Sequence, residues 1–87
     1  MMAGELAVRV TLLDNLDEYA MVVPGTTKIA DLKRDVLARA GIKRPESHYV
    51  VKYKGAELYE GSKTLTDSGV VPDGALIVLL RRRIPVR

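Results

Sequence analysis

His48 follows Ser47, and a hydroxyl beside an imidazole is raw material for nucleophilic catalysis. That chemistry needs a third group to orient the base, and no carboxylate stands at a spacing that ties it to this pair. His48 reads instead as a satisfied or exposed histidine at the edge of a strand. Asp14, Asp17 and Glu18 crowd three carboxylates into a short stretch, which raises a cation site. Asp14-Asn15-Leu16-Asp17 is also turn chemistry, because Asp and Asn bond their own backbone and tolerate left-handed geometry, and that is the reading adopted. The glycine-containing loops lack the G-x-x-x-x-G-K-[ST] pattern, and neither opens a helix, so a phosphate cradle is not expected. There is no cysteine, which removes disulfides and thiolate metal sites. The chain is expected to be no enzyme and to hold no cofactor and no metal.

Tyr49, Tyr53 and Tyr59 are spaced so that they invite a stacking surface for single-stranded nucleic acid. Tyr49 and Tyr53 share a parity, however, and are expected to point into the core, leaving Tyr59 as the free one. Arg81-Arg82-Arg83 allows three readings. Charges at a strand end guard an edge against further pairing; they also suit an acidic protein partner, or the phosphates of a nucleic acid or membrane surface. The last would be salt-sensitive and non-specific, since no helix or loop presents these residues to a groove.

The elements that must position these residues follow from periodicity. Residues 6–13, LAVRVTLL, alternate with period two and predict a strand with one buried face. A turn at 14–17 leads to a second strand at 18–23, and Pro24-Gly25 stops the hairpin. Ile29, Leu32, Val36, Leu37 and Ala40 follow helical spacing and predict a helix over 28–40. Thr26 or Thr27 would be its N-cap, and Gly41 stands at the C′ position. Asp35 and Arg39 are four apart in the favourable order. Residues 48–54 read as a third strand, 56–59 as a short fourth and 75–82 as the last, with 61–74 as loop. The order ββαββ with a final strand makes an α+β domain, a mixed four- to five-stranded sheet packed on one helix.

Totals bound the answer further. Eighty-seven residues, 47% hydrophobic and 29% charged, make one modest soluble domain. No apolar run approaches the roughly 18 residues of a membrane span, and no basic n-region precedes an apolar h-region at the N-terminus. With no export signal and no cysteine, a cytoplasmic monomer is expected. The net charge of +3 belongs to the tail: without Arg81, Arg82, Arg83 and Arg87, ten basic residues face eleven acidic ones. Basicity is therefore thin support for specific nucleic-acid binding.

The order and the residues together resemble the ubiquitin-like (β-grasp) family. The likeness runs from about Leu6 to Arg83. It is carried by Pro24 after the hairpin, by Ile29, Leu32, Lys33 and Val36 in the helix, and by Gly41-Ile42 at its end. Tyr53-Lys54-Gly55 before Leu58, Thr64-Leu65-Thr66-Asp67 with Val70, and Leu76 to Arg81 complete it, with one extra residue near Ser62-Lys63. The segment from Pro45 to Gly74 is also similar to bacterial YukD-type ubiquitin-like proteins associated with type VII secretion. The small ubiquitin-like subunits of bacterial multicomponent monooxygenases are a more distant likeness. The resemblance implies a ubiquitin-like domain at 6–83, an N-terminal extension at 1–5 and a short tail at 84–87.

Conjugated members of that family end in Gly-Gly, because the terminal carboxylate must enter sites too narrow for a Cβ. Aligned from Leu76 onward, the two glycines fall on Ile84 and Pro85, and no glycine follows Gly74. Neither conjugation nor sulfur carriage is expected. The family's central binding isoleucine maps to Lys52, and its most used chain-linking lysine to Ala56. Sheet alternation points the same way: if Val51, Tyr53, Leu76, Val78 and Leu80 face the helix, then Val50, Lys52, Lys54, Ile77, Leu79, Arg81 and Arg83 face out, with Leu13 nearby. Aliphatic residues on the solvated face of an antiparallel sheet can mark a partner site. The expectation is a non-conjugated binding module or accessory subunit that meets an acidic-rimmed protein partner through this face. A modifier or sulfur carrier, and a weakly binding basic nucleic-acid protein, are the alternatives.

Overall fold

The computed structural model describes residues 4–81. In chain order these form β1 (Glu5–Leu12), β2 (Asp17–Pro24), α1 (Ile29–Arg39), a single 3-10 turn at Glu46–His48, β3 (Tyr49–Tyr53), β4 (Ala56–Glu57) and β5 (Gly74–Leu80). The five strands make one sheet in the order β2-β1-β5-β3-β4. β1 and β5 run parallel at its centre, and the other neighbours are antiparallel. One helix packs on one face, which is the α+β arrangement of a β-grasp domain.

Alternation sorts the strands into two faces. Leu6, Val8, Val10 and Leu12 of β1 meet Leu76 and Val78 of β5, and Val51 and Tyr53 of β3, over Ile29, Leu32, Val36 and Leu37 of α1. Most of these residues are almost wholly shielded from water, and Leu65 and Val70 of the long loop close the same core. Tyr49 and Tyr53 are buried, as their parity implied. Leu80 is not: it stands on the helix side by parity, opposite Tyr49, but the β1–β5 pairing ends at Val78, so it has no β1 neighbour and is exposed.

Several boundaries differ from the sequence reading. β1 and β2 each start and end one residue off the expected ends, so Glu5 belongs to β1 and Leu13 to the turn. β4 ends at Glu57, although the Leu58 N–H still donates to the Val51 carbonyl at 2.8 Å. β5 ends at Leu80, and the Arg81 N–H closes on the His48 carbonyl at 2.7 Å. The helix begins at Ile29, with Lys28 and not a threonine as its N-cap, and Lys28 makes no side-chain cap bond. Its end is as expected: Gly41 has φ +72°, and the Gly41 and Ile42 N–H groups donate to the Ala38 and Leu37 carbonyls, which is a Schellman cap. The Asp35–Arg39 pair forms, with 3.1 Å between carboxylate and guanidinium. No helix among the described residues is long and apolar enough to cross a membrane.

Candidate functional site

The outer sheet face is built by the residues of opposite parity to the core. Thr11 of β1 sits beside Ile77 of β5, Ile77 opposite Lys52 of β3, and Lys52 opposite Glu57 of β4. In the next row Leu79 lies opposite Val50. Leu13, just past β1, donates its N–H to the Val78 carbonyl at 3.0 Å, which places it alongside Leu79. The structure therefore brings Leu13, Val50, Lys52, Ile77, Leu79 and Arg81 to one surface. Leu13 is 43% exposed and Ile77 39%, while Leu79 is half-buried.

Three expected contact residues need correction or restriction. Val50 faces outward but is only 7% exposed. Arg81 Nη2 lies 3.6 Å from Glu57 Oε2, and these residues flank β3 from opposite sides. The ion pair must cross β3 on its outer side, and Val50 is the outward residue beneath it. Lys54 leaves the face altogether. It sits in the β3–β4 turn with φ +53°, followed by Gly55 at +83°, the two left-handed residues of a type I′ turn. Its ammonium lies 5.6 Å from the centroid of the Tyr53 ring, a residue of the opposite face. Arg83 lies outside the described residues, as do Ile84 and Pro85.

The other candidates disperse. Asp14 Oδ2 accepts the Tyr49 hydroxyl at 2.6 Å, Asn15 Oδ1 accepts the Asp17 N–H at 3.0 Å, and Glu18 reaches Arg9 at 3.8 Å. The three acids thus serve a turn and a strand pair. Among the described residues no group of three or more His, Cys, Asp or Glu side chains converges on a point where a metal would bind. Ser47 and His48 line a concavity of about 300 Å3 with Leu80 and Arg81, and neither side chain is hydrogen-bonded to a carboxylate among the described residues. Tyr59 is 82% exposed, beside a concavity of about 570 Å3 that also holds Glu57, Glu60, Lys63 and Asp67. Sequence reasoning placed these acids in unrelated strand and loop segments; only the fold of 57–68 onto itself gathers them.

What remains on the outer face is an apolar strip, Leu13, Leu79 and Ile77, bordered by Lys52 and by a guanidinium already paired to a carboxylate. It contains no nucleophile and no convergent acid–base pair. It can bury aliphatic surface against a partner, at on the order of 1 kcal/mol for each residue that still has substantial area to lose.

No protein-family model matches the chain, and no curated protein is similar to it in sequence. Solved structures are. A ubiquitin of Caldiarchaeum subterraneum superposes with a TM-score of 0.77 at 17% identity, covering 92% of this chain and 98% of that one. The ubiquitin-like domain of the Arabidopsis thaliana protein At2g32350 gives 0.72 at 18% identity, covering 95% and 84%. A designed protein based on ubiquitin gives 0.77 at 21% identity, covering 99% and 100%.

Proposed function

We propose that this chain, which has the ubiquitin-like β-grasp fold, is a non-conjugated interaction module or accessory subunit. It binds an acidic-rimmed cytoplasmic protein through the outer sheet face. The observation that carries the reading is the pair of aliphatic residues, Leu13 and Ile77, left more than a third exposed on a face where polar side chains would be free of cost. Leu79 continues the strip inward, and Lys52 gives it a cation at its border; Arg81 is held by Glu57. Lys52 stands where receptors of ubiquitin meet an apolar residue, so the partner differs from theirs and is expected to set a carboxylate of its rim against Lys52. Ile84-Pro85, in the register of a modifier's two glycines, supports binding without covalent attachment.

Co-purification from the source cell followed by NMR shift mapping tests the face. Shifts are expected on Leu13, Lys52, Ile77 and Leu79, and Leu79→Glu is expected to weaken the complex at least about tenfold. Shifts confined to α1 would remove the assignment.

A further inference from the structure

The sheet has two edges, and they are treated differently. At one end β4 is two residues long, and brevity is a common way to blunt an edge. At the other end β2 runs for eight residues, Asp17 to Pro24, and pairs with β1 residue for residue without a bulge. Its free side pairs with nothing among the described residues. Charges stand only at its start, Asp17 and Glu18, and proline only at its end. Between them Tyr19–Val23 is an uncharged run. Met21 is buried in the core, while Ala20 and Val22 lie open on the outer face, Val22 at 64% exposure. No lysine, bulge or inward charge protects this edge, and such an edge is a template for another strand.

We propose that β2 pairs with β2 of a second copy of this chain, antiparallel about a two-fold axis through Met21, in place of the monomer that the sequence led us to expect. In such a pairing opposite residues must share a face, so the axis passes through a residue and not between two. Centred on Met21, Ala20 lies opposite Val22 of the second copy on the outer face, and Tyr19 lies opposite Val23 of the second copy on the other. Within Tyr19–Val23 every pair is apolar, and on the outer face valine meets alanine; beyond them Glu18 lies opposite Pro24 of the second copy. A shallow concavity of about 320 Å3, lined by Ala7, Arg9, Ala20, Val22 and Asp73 among others, lies beside that alanine. An axis through Ala20 would instead set Glu18 against valine. Electrostatics choose the direction. In the antiparallel arrangement the two Asp17-Glu18 ends lie about 25 Å apart, beyond the Debye length of about 10 Å in 0.1 M salt; a parallel pairing would stack them.

Sedimentation velocity of the purified chain from about 10 μM to about 1 mM tests this, a range that reaches dissociation constants of weak complexes. The mass is expected to rise from monomer towards dimer, with amide hydrogen exchange slowing in β2 at the high end. Val22→Lys changes a residue the fold leaves open and is expected to raise the dissociation constant at least about tenfold, with an unchanged melting temperature. Lys43→Ala, on the exposed loop after α1, is expected to leave the association as it is. A wild-type chain that stays monomeric at about 1 mM, or a Val22→Lys chain that associates equally well, overturns the proposal. So does a monomer whose β2 takes up only an unrelated extended peptide.

Discussion

The Tyr49 ring is buried, and its hydroxyl donates to Asp14 Oδ2 at 2.6 Å. Its carbonyl accepts the Lys33 ammonium at 3.0 Å. One residue thereby ties the β1–β2 turn and α1 to the start of β3. Burial, then the hydrogen bond and charge of Asp14, pushes the tyrosine pKa above its usual 10.0, against a smaller opposing pull from Arg44. The folded chain therefore holds the phenol proton more tightly than the unfolded chain does. That contribution is complete below about pH 10 and is lost as pH rises through the folded-state value. Tyr49→Phe keeps the ring and is expected to cost about 1–2 kcal/mol at neutral pH. The gap between wild type and variant should narrow in urea titrations run above pH 10; a gap that stays constant would show that the hydroxyl is not linked in this way. The sequence made the inward ring legible through parity. The carboxylate that completes it was hidden, because Asp14 reads locally as a turn residue and meets Tyr49 only when β1 and β3 share a sheet.

At the scale of elements, the two ends of α1 are secured by different means. Gly41 closes the C-terminus with its own left-handed backbone, a local property that sequence displays. The N-terminus borrows partners from elsewhere in the chain. The Ile29 and Ala30 N–H groups donate to the Lys63 and Gly61 carbonyls at 2.9 and 3.0 Å, and the Leu65 and Thr66 N–H groups return to Thr27 and Gly25. The loop at 61–66 thus lies along 25–30 and satisfies donors that a Ser or Thr cap would otherwise take. No reading of Thr26 and Thr27 could reveal this, since the acceptors are backbone groups distant in sequence. The arrangement requires close approach at Gly61, where a Cβ would come within 2.9 Å of the Ala30 Cβ. Gly61→Ala is expected to destabilise the fold by about 1–3 kcal/mol in chemical denaturation. Combined with Ala30→Gly, it should cost less than the two single changes added together, because the clash then has no second partner.

For the molecule as a whole, the distribution of charge decides among partners. Four of the fourteen basic residues fall after Leu80, and the remainder is near neutrality. On the described surface, Arg9, Arg34, Arg39 and Arg81 each stand within ion-pair distance of an acid. Those four guanidiniums have little left to offer a phosphate chain, and the cations outside these pairs, such as Lys28, Lys43, Lys52 and Lys63, come from separate loops and strands. Fluorescence titration with a single-stranded oligonucleotide is expected to show no binding at about 10 μM protein in about 0.15 M salt, and at most a weak, salt-sensitive association below that. Tight binding that survives the higher salt would favour the nucleic-acid reading instead.

The sequence by itself determined the one-helix, mixed-sheet fold, the inward tyrosines, the helix C-cap and the parity of the outer face. Each is set by periods of two and 3.6 or by a single residue's backbone freedom, and these act over a few residues. Parity also named the face that carries Leu13, Ile77 and Leu79. What parity could not supply was coverage. Val50 and Ile77 have the same orientation, yet Val50 lies on β3 between Arg81 and Glu57, whose ion pair spans that strand, and is 7% exposed where Ile77 stays open. Lys54 looked like the next outward residue, but a type I′ turn carries it to the opposite side. Strand order, which tertiary structure alone decided, put β2 at an edge and β5 at the centre. Exposure depends on which strands become neighbours, and that is settled only when the whole sheet assembles over the helix.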